Sequence, residues 1–195
     1  MKMNFTGCFI IIAGTFLQIN NATFAQKKLV TIETTKGKII VALYEKKAPL
    51  TCLNFMNYVE KLGNDGGSFY RTVTLENQPD KKVIIQVIQG GFNLRKIDTT
   101  LIRPIPLERT NATGISHKNG TISMARDQPD SGTTEFFVCI GKQPSLDFGG
   151  ARNPDGQGFA AFGRVVKGMK VVREIQKSSA QGQSLSPPIK ILKIY

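Results

Sequence analysis

Alternating apolar and polar positions predict a chain built mainly of short β-strands. Two β-rich runs, Leu29–Thr34 and residues 38–44, are separated by Lys36-Gly37 and predict an antiparallel hairpin at the start of the fold. Alternation in residues 189–194 predicts a closing strand with one solvent-exposed face. Five further strand-like runs lie between these ends: residues 69–73, 82–88, 120–124, 136–140 and 159–165.

Two segments have the spacing of helices. The first begins at Pro49, a residue suited to the first turn of a helix, and is predicted to end near Gly63. Its apolar positions recur at three-residue steps: Leu50, Leu53, Met56 and Val59. The second covers residues 169–175. Because many short strands accompany only two helices, the pattern favours a closed antiparallel barrel or a sandwich over an alternating βαβ fold. Long polar stretches are predicted to be surface loops: residues 76–82, 149–158 and 178–188.

The first 25 residues are typical of a secretory signal peptide. Lys2 precedes an uncharged stretch whose centre, residues 8–17, is apolar but short for a membrane span. Small residues at Thr23 and Ala25 predict cleavage between Ala25 and Gln26. The mature domain, residues 26–195, would then be periplasmic or secreted. An inner-membrane anchor formed by an uncleaved signal is the alternative.

Charge and histidine content narrow the classes of function. The sequence has 26 Lys and Arg against 14 Asp and Glu, a formal charge of +12. The predicted signal peptide, residues 1–25 and called the leader below, contains one Lys and no Asp or Glu, so the mature domain carries a formal charge of +11. This charge makes nucleic acid or an anionic surface a candidate partner, but the basic residues are spread out without an arginine-rich run, which argues against nucleic acid. A single histidine disfavours most metal sites and Ser-His-Asp hydrolase sites.

The mature domain contains two cysteines, Cys52 and Cys139. Cys139 lies in an apolar run, and Cys52 falls on the apolar side of the first predicted helix. The sequence therefore predicts two separately buried thiols. A disulfide between them is the alternative in an exported protein.

Three segments combine apolar residues, glycine and hydrogen-bonding side chains beyond what a plain barrel strand requires. They are Phe69-Tyr70-Arg71, Gln89-Gly90-Gly91-Phe92, and residues 123–126 with 132–137. Together with Leu146-Asp147 and Phe162-Gly163 they occur in the order and spacing of the cyclophilin-type peptidyl-prolyl isomerases. From about Leu29 to its C-terminus the sequence resembles that family. The resemblance implies a mainly β fold, a closed eight-stranded antiparallel β-barrel capped by two α-helices.

The resemblance also implies a site. It gives Arg71 the role of the catalytic arginine. It gives substrate-binding roles to nine residues: Gln86, Val87, Gln89, Ala125, Arg126, Glu135, Phe137, Leu146 and Phe159. Within this set Phe137 and Leu146 correspond to walls of a proline pocket, and Glu135 replaces a glutamine that is more usual in the family. His117, in a polar run, is predicted to be a solvated loop residue without a catalytic role.

The chemistry implied needs neither a metal nor a cofactor. Amide resonance sets a barrier of about 18–20 kcal/mol to rotation about an Xaa-Pro bond. A guanidinium that donates a hydrogen bond to the proline nitrogen weakens this resonance, and arginine stays charged at any working pH. The predicted function is therefore peptidyl-prolyl cis-trans isomerisation that assists the folding of exported proteins. A catalytically weak peptide-binding or chaperone module of the same fold is the alternative.

The sequence departs from compact family members in two places. The segment from Thr72 to Ile88 is longer, with a predicted turn at residues 77–80, and Gln86 and Val87 replace larger apolar residues. Ser145 stands where cyclosporin-sensitive members usually carry tryptophan, so weak cyclosporin binding is predicted. The expected partners are proline-containing polypeptides, and the protein is expected to be a monomer.

Overall fold

The computed structural model describes Met1, residues 28–79 and residues 81–195. The predicted leader, beyond Met1, lies outside the described residues. The described chain forms nine strands: β1 Leu29–Thr34, β2 Gly37–Leu43, β3 Gly67–Val73, β4 Val87–Phe92, β5 Thr121–Met124, β6 Glu135–Cys139, β7 Ala160–Lys167, β8 Ala180–Gln181 and β9 Ser184–Ile194. Its α-helices are α1 Pro49–Leu62, α2 Thr110–Thr113 and α3 Met169–Gln176.

Eight of the strands close into an antiparallel barrel. Neighbouring strands follow the order β1, β2, β7, β5, β6, β4, β3, β9, and β9 pairs with β1 to complete the ring. The two-residue β8 pairs with β9 beside the ring. The structure thus confirms the predicted eight-stranded barrel and decides against the sandwich.

Apolar side chains from the strands and helices fill the barrel. In β1 the alternation seen in the sequence buries Val30 and Ile32. Helix α1 contributes Phe55, whose ring lies 5.3 Å from that of Phe162 and 5.5 Å from that of Phe136, centroid to centroid. Such tilted and edge-to-face contacts are the favoured geometries of aromatic pairs. The same core receives two fully buried residues from α3, Val172 and Ile175.

Most strand boundaries lie within two residues of the prediction, but the starts of β4 and β9 are each displaced by five residues. The run predicted at residues 82–88 becomes a strand only at Val87. Before it, the Gln78 amide hydrogen-bonds both backbone groups of Ile85, so a side chain takes the place of a neighbouring strand. At the C-terminal end, β9 begins at Ser184 rather than at residue 189, and its extra residues bulge between pairings with Arg71 and Phe69 of β3.

No helix among residues 28–79 and 81–195 is long and apolar enough to cross a membrane. Both helices predicted from the sequence are present. The four-residue α2, which the pattern missed, ends at Gly114 in the left-handed conformation that glycine adopts without strain.

Cys52 and Cys139 are free and buried, which confirms two separate thiols. Burial raises the pKa of the Cys52 thiol to about 12 and also raises that of Cys139. Because the thiolate is the reactive form, we expect neither thiol of residues 26–195 to react with a disulfide reagent at pH 8 while the protein is folded. Titration in guanidinium should then release two thiols. Fast labelling without denaturant would contradict this.

Candidate active site

A cavity of about 530 Å³ opens on the outer side of β3, β4 and β6. Nine of the ten site residues named from the sequence line it: Arg71, Val87, Gln89, Ala125, Arg126, Glu135, Phe137, Leu146 and Phe159. Gln86 is not among its lining residues, whereas its neighbours Ile85 and Val87 are. The Gln86 carbonyl accepts a hydrogen bond from the Ile140 N–H. The cavity therefore collects residues that are up to 88 positions apart in the sequence.

Arg71 is held at one edge of the cavity by two amide side chains. Its Nη1 donates to Gln89 Oε1 at 2.8 Å, and its Nε and Nη2 donate to Gln183 Oε1 at 3.0 and 2.7 Å. Gln89 faces Arg71 across the β3–β4 ladder, and Gln183 lies just before β9. These three bonds leave one N–H on each terminal nitrogen without a partner among the described residues. A fixed, charged donor thus faces the cavity.

Glu135 sets the orientation of Gln89. Gln89 Nε2 donates to Glu135 Oε2 at 3.0 Å and to the Tyr70 hydroxyl oxygen at 2.7 Å. The Tyr70 hydroxyl donates to the same carboxylate, and burial together with Glu135 raises the pKa of Tyr70. Because the Gln89 amide nitrogen faces the carboxylate, its oxygen faces Arg71. The carboxylate that replaces the usual glutamine therefore fits this network.

An apolar socket adjoins Arg71. Its buried members form a cluster separate from the barrel core: Val73, Ile85, Val87, Phe137, Cys139 and Leu146. The Phe159 ring packs edge-on against Phe137, with centroids 5.3 Å apart. Apolar walls with a few fixed polar groups at one edge are the usual make-up of a small-ligand pocket. The socket can accept a compact apolar ring with its amide directed towards Arg71.

His117 is not the solvated residue that its polar neighbours predicted. It is 1% exposed, its Nδ1 lies 2.7 Å from Asp147 Oδ1, and its Nε2 lies 3.0 Å from Ser123 Oγ. The ring stacks on Phe137 with a centroid distance of 6.0 Å. Ser123 is fully buried and does not line the cavity, so this Asp-His-Ser chain cannot serve as a hydrolase triad. It supports the back of Phe137.

Arg126 supports the wall of the cavity that Phe159 forms. Its Nη1 and Nη2 each donate to an Asp155 oxygen at 2.8 Å, and its guanidinium lies 5.2 Å from the centroid of the Phe159 ring. The Arg126 side chain is 1% exposed, so its charge is matched by Asp155 rather than by solvent. This bidentate pair fixes the loop that carries Phe159.

The Arg126–Asp155 ion pair makes the stability of the folded protein depend on pH in the acid range. Hydrogen bonding to Arg126 lowers the pKa of Asp155 from 3.8 to about 2. Because the pKa of Asp155 is lower in the folded protein, the ionised carboxylate stabilises the folded state fully above pH 3.8. This stabilisation is lost as the pH falls through about 2. We expect Asp155→Asn to lower the urea midpoint at pH 6 and to lower it much less near pH 2. An equal difference at both pH values would contradict this.

Several residues of the site were not found from the sequence, among them Ile85 and Arg152, which line the cavity, and Gln183, which holds Arg71. Gln183 lies 112 positions from Arg71, Arg152 lies in a polar loop, and Ile85 precedes a strand. No local pattern distinguishes a glutamine or an arginine in a surface loop from a ligand of the site. Only the closure of the barrel brings them there.

Comparisons with known proteins agree with this architecture. The family model for cyclophilin type peptidyl-prolyl cis-trans isomerases matches residues 29–195. A peptidyl-prolyl cis-trans isomerase of Acinetobacter baylyi is 33% identical over 169 residues, covering 85% of this chain and 82% of that protein. Isomerase A of Dickeya dadantii is 34% identical over 159 residues, covering 81% and 75%.

The fold has counterparts among solved structures. A Cryptosporidium parvum cyclophilin type isomerase, crystallised in the presence of the dipeptide Ala-Pro, matches with a TM-score of 0.66 at 19% identity. The match covers 86% of this chain and 97% of that one. With the family match over the entire barrel, this chain belongs to the cyclophilin-type peptidyl-prolyl cis-trans isomerases.

Proposed function

We propose that this isomerase rotates Xaa-Pro bonds through Arg71 and that its substrates are polypeptides exported from the cytoplasm. One observation carries the first part. The Arg71 guanidinium is held by two neutral amide oxygens and lines the same cavity as the apolar socket, so a charged donor with two N–H groups left over lies beside the place where a proline would bind. The comparisons support isomerisation as the reaction, and the geometry supports Arg71 as its main group.

The reaction requires the proline nitrogen to lose amide resonance. Resonance contributes a barrier of about 18–20 kcal/mol, and as the bond twists the nitrogen lone pair becomes available to a donor. Arg71 can donate to this nitrogen, while Phe137 and Leu146 hold the pyrrolidine ring. Since each 1.4 kcal/mol is about tenfold in rate, one oriented charged donor together with positioning can supply a large acceleration.

The second part rests on the leader. Residues 1–25 have a positive start, a short apolar centre and small residues at the predicted cleavage point. The barrel begins at Leu29, so cleavage after Ala25 removes none of it. A client leaving the export machinery is unfolded, and its slow prolyl isomerisation can limit folding.

Export is tested by expressing the full chain in a Gram-negative host and separating periplasm from cytoplasm. We expect isomerase activity in the periplasmic fraction, with an N-terminus at Gln26. Ile11→Arg places a charge in the apolar centre of the leader and should keep the protein in the cytoplasm. An intact leader on wild-type protein confined to the cytoplasm would contradict the exported role.

A further inference from the structure

We infer that the cavity selects an acidic side chain next to the substrate proline and that Arg152 is the residue that binds it. This inference rests on the proposed function, because it assigns a substrate class to the same cavity. It concerns two of the polar loops noted in the sequence, which meet at Arg152. The substrate class is a polypeptide with Asp or Glu directly before or after proline.

Arg152 is fixed on the cavity wall by neutral groups. Its Nη1 donates to the Val83 carbonyl at 2.6 Å and lies 3.3 Å from Gln78 Oε1. Its backbone N–H donates to the Ser145 carbonyl at 3.1 Å. The half-buried side chain lines the cavity together with Arg71. Arg152 therefore holds the loop before β4 against the loop after Leu146.

Within residues 28–79 and 81–195, no carboxylate forms an ion pair with either of these two arginines. Among the described residues the ion pairs are Lys38–Glu33, Lys96–Asp65, His117–Asp147 and Arg126–Asp155. Of the two other carboxylates on the cavity, Glu135 accepts from Tyr70 and Gln89, and Asp127 is exposed at the rim. Arg152 and Arg71 line the same cavity, and burial together with the like charge of Arg71 lowers the pKa of Arg152. The wall near Arg152 thus carries unmatched positive charge.

Arg152 also has the geometry to bind a carboxylate. Its Nε and Nη2 donate to none of the described residues, and this edge of a guanidinium forms paired hydrogen bonds with the two oxygens of a carboxylate. A substrate carboxylate placed there would relieve the repulsion between Arg152 and Arg71. An amide of the same size could accept one bond but would supply no charge. Discrimination between Glu and Gln beside proline is therefore the expected signature.

The test compares kcat/KM for matched peptides. Glu and Gln are placed directly before proline in one pair of peptides and directly after it in another. The proteins are residues 26–195 as wild type, Arg152→Gln, Arg152→Lys and Arg164→Gln. Arg164 is an exposed β7 arginine away from the cavity, so its variant loses the same charge and should keep wild-type activity. The ratio of Glu to Gln peptide within each protein cancels any general loss of activity.

We expect wild type to favour Glu over Gln about five- to tenfold in at least one peptide pair at low salt, as for one partly screened charge pair. The ratio should fall to about one in Arg152→Gln, stay near wild type in Arg164→Gln, and remain above one in Arg152→Lys. A ratio of one in wild type for both pairs, or a preference that persists in Arg152→Gln, would overturn the inference while leaving the isomerase intact. Absence of turnover on every peptide would overturn the proposed function as well.

Discussion

Replacing Arg71 by alanine is expected to lower kcat/KM for an Xaa-Pro peptide by about 10²–10³-fold, the usual effect of removing a preorganised donor from a transition state. The substitution removes the only guanidinium that Gln89 and Gln183 orient among the described residues. Lysine should recover little of this activity, because an ammonium cannot reach both amide oxygens in the planar geometry of a guanidinium. A protease-coupled assay on residues 26–195 measures the effect.

The matched control is Arg164→Ala, which removes an exposed arginine from β7. It should keep kcat/KM within about twofold of wild type, since exposed substitutions away from the cavity usually have small effects. Circular dichroism and urea unfolding show whether each variant is folded. A folded Arg71→Ala protein with wild-type turnover would contradict the assignment of Arg71.

Replacing Gly90 by alanine should have the largest effect on stability near the site. A Cβ at Gly90 would lie 2.4 Å from the Ser68 carbonyl oxygen and 3.0 Å from Phe69 Cα, both of them backbone atoms of β3. The strands would have to separate next to the pairing of Arg71 with Gln89. We expect the free energy of unfolding to fall by about 3 kcal/mol, at the upper end of the usual cost of overpacking, and activity to fall with it.

Gly91 provides the control for Gly90. The contact nearest to its added Cβ is Glu135 Cγ at 3.3 Å, a side-chain atom that can move. Gly91→Ala should therefore lower the free energy of unfolding by about 1 kcal/mol or less. Urea denaturation of both variants measures the difference. Equal losses in the two variants would show that the close approach of β3 and β4 at Gly90 is not what excludes a side chain.

The local alternation of apolar and polar residues was enough to predict most strands, because each barrel strand has one buried face. It was insufficient where a side chain replaces a strand, as Gln78 does for Ile85. It also placed His117 in solvent, because the polar neighbours of His117 could not show that Asp147, 30 positions away, would bind it. Contacts between distant segments can bury a residue whose sequence neighbours are polar. Such contacts are not visible in a single sequence.

The candidate site followed from family resemblance rather than from pattern. Resemblance gave Arg71 and the socket, which the structure brings to one cavity. Gln86 is the exception, since side chains alternate along an extended segment and its neighbours Ile85 and Val87 face the cavity. Arg152 lies in a polar loop that the motifs do not include, so only the folded chain could show it beside Arg71.

We expect Arg71 to drive rotation of a proline held in the adjoining socket. Exchange NMR on an Ala-Pro peptide at equilibrium tests it most directly, because peptide shift changes report binding and cis–trans exchange peaks report rotation. We expect exchange with wild-type protein, and binding with little exchange for Arg71→Ala. Equal exchange rates with the two proteins, at equal binding, would contradict it.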